Sequence, residues 1–286
     1  MANESSYKKT LKYLIILMVS SIIVVDLFII LIPDKYFQHA IAIISLNIAG
    51  ATATGLGVIA VIRYGISGSH GKSYLFLTIG IALWFAADLG IMYSYFALHV
   101  DEFKQITLLD ILWLGGYLFL IFHLISIIRT IRIRNMSITL TIISAVIIGF
   151  VIVNLVSFLL LSESTLNNGE SNAVEKGYGL SDLAVTILYP ILDLCLIVPS
   201  ITILLNVYRE YHHSIPWVLA SVSLLVNAIA DNGYTNDYIH GSASALPWDL
   251  FYIADFIIMS GALFWYNRYH ITDHISKKNK RNEFIN

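Results

Sequence analysis

The sequence is short of charge. Of its 286 residues, 13% are Asp, Glu, Lys or Arg and 57% are hydrophobic, whereas a soluble domain carries about 25% charged residues. So few charges cannot cover a water-soluble globule of this length, which excludes a soluble enzyme, a secreted module and a disordered tail. Cysteine is nearly absent. Cys195 stands alone, so neither an intrachain disulfide nor a cysteine cluster for structural zinc or iron–sulfur can form. A net charge of −2 supplies no basic field for nucleic acid. There is no Gly-x-Ser-x-Gly elbow, Walker loop or His-Glu-x-x-His helix, each of which would announce an enzyme class. No lysine lies deep in a late hydrophobic run, which excludes a retinal Schiff base.

What is present is a succession of long apolar runs. A bilayer-crossing helix needs about 20 mostly apolar residues, and eight such runs occur, at roughly 13–32, 40–62, 74–98, 106–128, 137–161, 183–207, 216–239 and 248–267. The expected fold class is therefore all-α, a polytopic membrane helix bundle of about eight spans in contact with the lipid bilayer. Pro216 and Pro247 stand where first helical turns begin, a position that tolerates a missing N–H. Eight crossings place both termini on one side, together with 14 of the 17 lysines and arginines; Lys35, Lys104 and Lys176 fall on the other. The positive-inside rule makes the first side cytoplasmic, and the expected location is the cell membrane. The first run is longer than the 7–15 residues of a signal-peptide core, so it reads as a retained span. The loop from Ser162 to Asp182 reads as an outer, solvated linker. The chain divides into a first half at 1–134, a second half at 135–270 and a short basic tail at 271–286.

The halves carry a faint duplication. Ala87-Asp88-x-Gly90-x4-Tyr95 in the third run matches Ala230-Asp231-x-Gly233-x4-Tyr238 in the seventh, and the following runs open with Asp110 and Trp113 or with Asp249 and Tyr252. Four helices return a chain to its starting side, so a four-plus-four duplication would give parallel repeats, whose interface often holds a binding site. The alternative is that Gly90, Gly233 and the alanines simply permit close helix packing. Gly50, Gly55 and Gly57 in the second run are read in the same way.

The aspartates are the most informative residues. Asp26, Asp88, Asp110, Asp193, Asp231, Asp237, Asp249 and Asp255 fall within or at the lips of the runs, and no lysine or arginine lies well inside any of them. A mid-bilayer Asp costs about 2.5–3.5 kcal/mol on insertion scales, so these side chains should face a bundle interior or a cavity. Most fall in the outer half of their spans, and an acidic cavity opening outward is expected. Residues three, four or seven apart share a helix face. Trp84 accompanies Asp88, Tyr189 accompanies Asp193, Tyr234 accompanies Asp231, and Tyr252 lies three from both Asp249 and Asp255. Trp113 and Tyr117 accompany Asp110 in the same way. Carboxylates with aromatic walls suit an organic cation, and clustered carboxylates suit a hard metal such as calcium. Protonated Asp and Tyr hydroxyls that tie helices together are the structural alternative. Pro190 and Pro199 flank Asp193, which fits a hinge or a static kink equally. His123, inside the fourth run, reads as hydrogen-bonded packing. His99 and His240 at the outer lips are weak zinc candidates.

The order of these motifs resembles a known family. Trp84 to Asp88, then Asp110-Ile-Leu-Trp, Tyr189-Pro190-x-x-Asp193-Leu194, Ala230-Asp231 and Trp248-Asp249 is similar to the multi-span N-terminal sensory modules of some bacterial diguanylate cyclases, phosphodiesterases and histidine kinases, over roughly 80–270. Those modules precede a cytoplasmic catalytic domain, whereas only Ile271 to Asn286 follow here. The resemblance thus implies a membrane module whose output passes through a separate cytoplasmic or membrane signalling partner. The expected function is a receptor-like module binding a small cation or organic ligand, with no identified cofactor. A proton- or cation-coupled transporter is the alternative, followed by a structural subunit and an intramembrane lipid-modifying enzyme.

Overall fold

The computed structural model describes residues 4–99, 108–131, 180–207, 214–240 and 246–270, together with residues 143 and 146. Seven helices make up this part: α1 (Glu4–Ile30), α2 (Lys35–Tyr64), α3 (Gly68–Tyr93), α4 (Leu108–Ile128), α5 (Leu180–Val207), α6 (Ile215–His240) and α7 (Leu246–Trp265). A π-helical turn continues α3 over Ser94–Leu98, and another continues α7 over Tyr266–His270. No strand occurs among the described residues. All seven helices are long and apolar enough to cross a membrane, as a multi-pass membrane protein requires. The expected fifth span, the half boundary at 134, the outer linker up to residue 179 and the basic tail lie outside the described residues, apart from residues 143 and 146, while Leu180, Ser181 and Asp182, expected at the linker's end, already belong to α5.

Helix ends follow local chemistry. Asp34 caps α2, its Oδ1 accepting from the backbone N–H of Tyr36 at 2.9 Å and of Phe37 at 3.1 Å, which satisfies donors that have no intrahelical partner. This cap starts α2 at Lys35, five residues before the apolar run. At the other end Gly65 adopts φ 80° and donates to Val61 O, a backbone state that glycine enters without a Cβ clash. Pro216 and Pro247 are the second residues of α6 and α7, as their missing N–H groups demand. Helix α1 begins at Glu4, well before its apolar run, because lysines favour helix as readily as leucine does.

The packing order is simple. Each helix from α2 to α7 contacts the next, and α7 returns to α2, closing a six-helix ring; α1 lies outside it against α7 and α2. On α1 only Leu14, Met18 and Ile29 are buried among its large apolar side chains, while Leu17, Val24 and Phe28 are exposed, as a lipid-facing helix requires. Glycines set the closest approaches. A Cβ on Gly116 would collide with the Trp84 indole and lie 3.0 Å from Gly80 O, so α3 and α4 touch nearly backbone to backbone. Gly50 and Gly57 pack in the same sense against Phe85 and Thr78, but Gly55 has nothing within 4 Å and does not belong to that close-packed face.

Candidate functional site: an acid core inside the ring

The carboxyls converge inside the ring. Asp193 of α5 is fully buried, Asp255 of α7 and Asp88 of α3 are 2% and 8% exposed, and Asp231 of α6 is partly buried. Tyr117 of α4 is the hub. Its hydroxyl lies 2.6 Å from Asp193 Oδ1 and also hydrogen-bonds Asp231 Oδ2. Tyr252 of α7 donates to Asp231 Oδ1 at 2.5 Å, Asn227 Nδ2 donates to Asp231 Oδ2 at 2.8 Å, and Asn232 Nδ2 donates to Asp193 Oδ2 at 2.9 Å. A phenol has one proton to give, and two carboxylates have none. This set of contacts closes only when the acid pair itself holds a proton.

The other acids surround this pair. The Asp88 carboxyl lies near the Trp113 indole and interacts electrostatically with Asp231 and Asp249. Ser223 of α6 hydrogen-bonds Asp255 Oδ1, and Asp255 in turn feels Asp231 and Asp88. No lysine or arginine among the described residues neutralises any of the five. An imidazole does come close, with His39 Nδ1 of α2 3.8 Å from Asp249 Oδ2. Trp84 and Tyr117 meet edge-on at 5.1 Å, and Tyr117 and Tyr189 at 6.0 Å.

No family model, curated protein or solved structure matches this chain. The resemblance to bacterial sensory modules is therefore carried by the motifs alone, and what the site does has to be argued from its own geometry. Among the described residues, no three His, Cys, Asp or Glu side chains are arranged to hold a metal ion.

Of the expected site residues, Asp88, Asp193, Asp231, Asp249, Asp255, Trp84 and Tyr252 share the core, and Tyr189 reaches Asp110 Oδ1 at 3.1 Å at its edge. Tyr234 is 45% exposed. Asp26 stands apart on α1, and Asp237 accepts from the Trp248 indole at 2.7 Å. His123 is fully buried, with Nδ1 2.9 Å from both Ser73 O and Ser73 Oγ, which is the packing role expected of it. Asn232, Ser223, Asn47 and His39 belong to the site without being expected from the sequence. Asn232 adjoins Asp231, so alternation of helix faces hides it. His39 lies before the apolar run and becomes visible only once the Asp34 cap is known.

The two helix pairs α3–α4 and α6–α7 repeat the same contacts. A Cβ on Gly90 would collide with Leu109, and one on Gly233 would collide with Trp248; each partner is the residue just before the opening Asp of the next helix. Trp113 lies near the Asp88 carboxyl and Tyr252 donates to Asp231, each of the two lying three residues after that opening Asp. The opening acids match too, since Asp110 meets Tyr189 of α5 while Asp249 meets His39 of α2.

Proposed function

We propose that the protein is a receptor-like module of the cell membrane whose acid core binds a small cation or organic ligand and biases the helix arrangement. One observation carries this reading. Five carboxyls from four helices gather in one ring core without a lysine or arginine among the described residues to neutralise them. Intramembrane carboxyls are costly and commonly mark ligand or proton paths. The motif resemblance to sensory modules supports the same reading, with output passing to a separate signalling partner. The test is a thermal-shift screen of detergent-purified protein against monovalent and divalent cations and organic amines. Saturable stabilisation by one ligand is expected, reduced in Asp88→Asn and Asp231→Asn. Undiminished stabilisation in both variants sinks the site assignment.

The matched contacts of α3–α4 and α6–α7 support a four-plus-four architecture of eight spans with both termini cytoplasmic. Asp110 pairs with Tyr189, and seven residues further along α4, Tyr117 pairs with Asp193, so α4 and α5 run parallel. Parallel neighbours at this point are what an eight-span chain requires. The same pseudo-repeat, with Pro190 and Pro199 flanking Asp193, favours a second reading as a proton-coupled transporter, because acids that exchange protons couple transport. Uptake into proteoliposomes under an imposed pH gradient separates the two. No uptake across a panel of cations and amines removes the transporter.

A further inference from the structure

The end of the bundle where α1 begins carries a surface that the acid core does not use. Tyr7 of α1 lies 4.8 Å from Tyr269 and 6.4 Å from Trp265, and Trp265 lies 4.4 Å from Tyr269, ring centre to ring centre. These rings fasten the first turns of α1 to the last turns of α7. One helical stripe of α1 continues the contact: Leu14 and Met18 pack with Trp265 and Ile215, and a Cβ on Gly261 would collide with Met18.

Basic side chains from three helices border this contact. Arg268 is exposed, donates from Nε to the Tyr269 hydroxyl at 3.2 Å and holds its guanidinium carbon 5.6 Å from the Tyr269 ring centre. Arg63, exposed in the last turn of α2, reaches Asn267 O with Nη1 at 3.5 Å. Asn267 Nδ2 donates to Leu56 O of α2 at 2.9 Å. Both guanidiniums are thus held against one π-helical turn, Tyr266–His270. Lys8 of α1 follows Tyr7 directly, and Lys12 lies four residues on, so the two share a helix face; both are exposed. Within residues 4–13, 60–65 and 263–270 the only acid is Glu4. Beside this charge, α1 exposes Tyr13, Ile16, Leu17 and Val24, an apolar wall along which acyl chains can lie.

We propose that this corner of α1, α2 and α7 is a contact surface for anionic phospholipid. The headgroups meet Arg63, Arg268, Lys8 and Lys12, and the acyl chains follow the exposed face of α1. Aromatic rings at headgroup level anchor a membrane protein, and basic residues beside them are drawn to a negative lipid surface. Arginine adds a planar fork of N–H donors that matches phosphate. The lipid has a structural task here. Helix α1 lies outside the ring, and among its large apolar side chains only Leu14, Met18 and Ile29 are buried. Headgroups shared between the cations of α1 and α7 tie that helix to the ring. The surface is independent of what the acid core binds.

The experiment melts the full chain in neutral detergent doped with phosphatidylglycerol, with phosphatidylcholine of the same acyl chains, or with inorganic phosphate. Phosphatidylglycerol is expected to raise the melting temperature saturably and well beyond phosphatidylcholine, and inorganic phosphate, which has no chains, to leave it unchanged. Arg63→Gln and Arg268→Gln should each raise the half-saturating phosphatidylglycerol concentration about fivefold, which is what one basic residue is worth near an anionic surface. Arg268→Lys, which keeps the charge, should retain most of the binding. Arg129→Gln is the comparison, an exposed arginine just past the end of α4 and away from this corner, and should bind as wild type does. Equal stabilisation by the two lipids overturns the proposal, because charge then plays no part. A loss in Arg129→Gln as large as in Arg63→Gln and Arg268→Gln overturns it in favour of diffuse attraction to the whole basic end. Stabilisation by inorganic phosphate equal to that by phosphatidylglycerol makes the corner a free-anion site and overturns the lipid.

Discussion

Tyr117 shows how one hydroxyl can hold three helices. It sits on α4, and its two carboxyl partners sit on α5 and α6. Truncation to Phe keeps the ring's packing with Trp84 and Tyr189 and removes only the oxygen. Tyr117→Phe is expected to cost about 1–3 kcal/mol, the penalty for leaving buried polar groups short of a partner, and to appear as a lower melting temperature in detergent. An unchanged melting temperature would mean that the carboxyls satisfy each other without the phenol. The acids are legible in the sequence because charge is conspicuous in an apolar run. Asn47 and Asn232 are not, because a neutral amide in a helix gives no signal until its neighbours on other helices are known.

The helices themselves are largely legible, since an apolar run of about 20 residues fits the thickness of a bilayer and little else. Their ends are less so. The Asp34 cap and the lysine-rich first turns of α1 extend helices beyond the apolar runs, because capping and propensity act where hydropathy has already fallen. Helix pairing is legible only in part: Gly90 and Gly233 stand out as packing residues, but Gly116 and its contact with Trp84 and Gly80 do not. Gly116→Ala should destabilise the α3–α4 pair by about 1–3 kcal/mol, as overpacking does in a closed contact. Gly55→Ala, where nothing lies within 4 Å, should be close to neutral. Parallel thermal melts of the two variants compare a closed contact with an open one on the same protein.

At the scale of the whole molecule, the ring has two seams where parallel helices meet, α4 with α5 and α7 with α2. Each is joined near one end by an acid from the first turn of one helix, Asp110 of α4 or Asp249 of α7, and a ring side chain from the other, Tyr189 of α5 or His39 of α2. The seams are alike in plan and differ in chemistry, because one sets the acid against a phenol and the other against an imidazole. Parallel seams also bear on topology. Tags at the two termini should be labelled from the same face of oriented vesicles; labelling from opposite faces would remove the eight-span arrangement. No single-residue pattern in the sequence could have revealed the ring, since closure depends on α7 returning to α2 across some 200 residues of chain.

Cys195 is notable in the sequence only for what its solitude excludes. In the ring it is exposed, two residues along α5 from the fully buried Asp193. Successive helix positions diverge by about 100°, so the thiol and the acid leave the same turn in different directions. The native chain therefore carries a ready-made spectroscopic handle. A single dye or spin label on that sulfur would ride on the helix bearing Asp193 and report its rotation, with no cysteine to remove and no change to the polar interior.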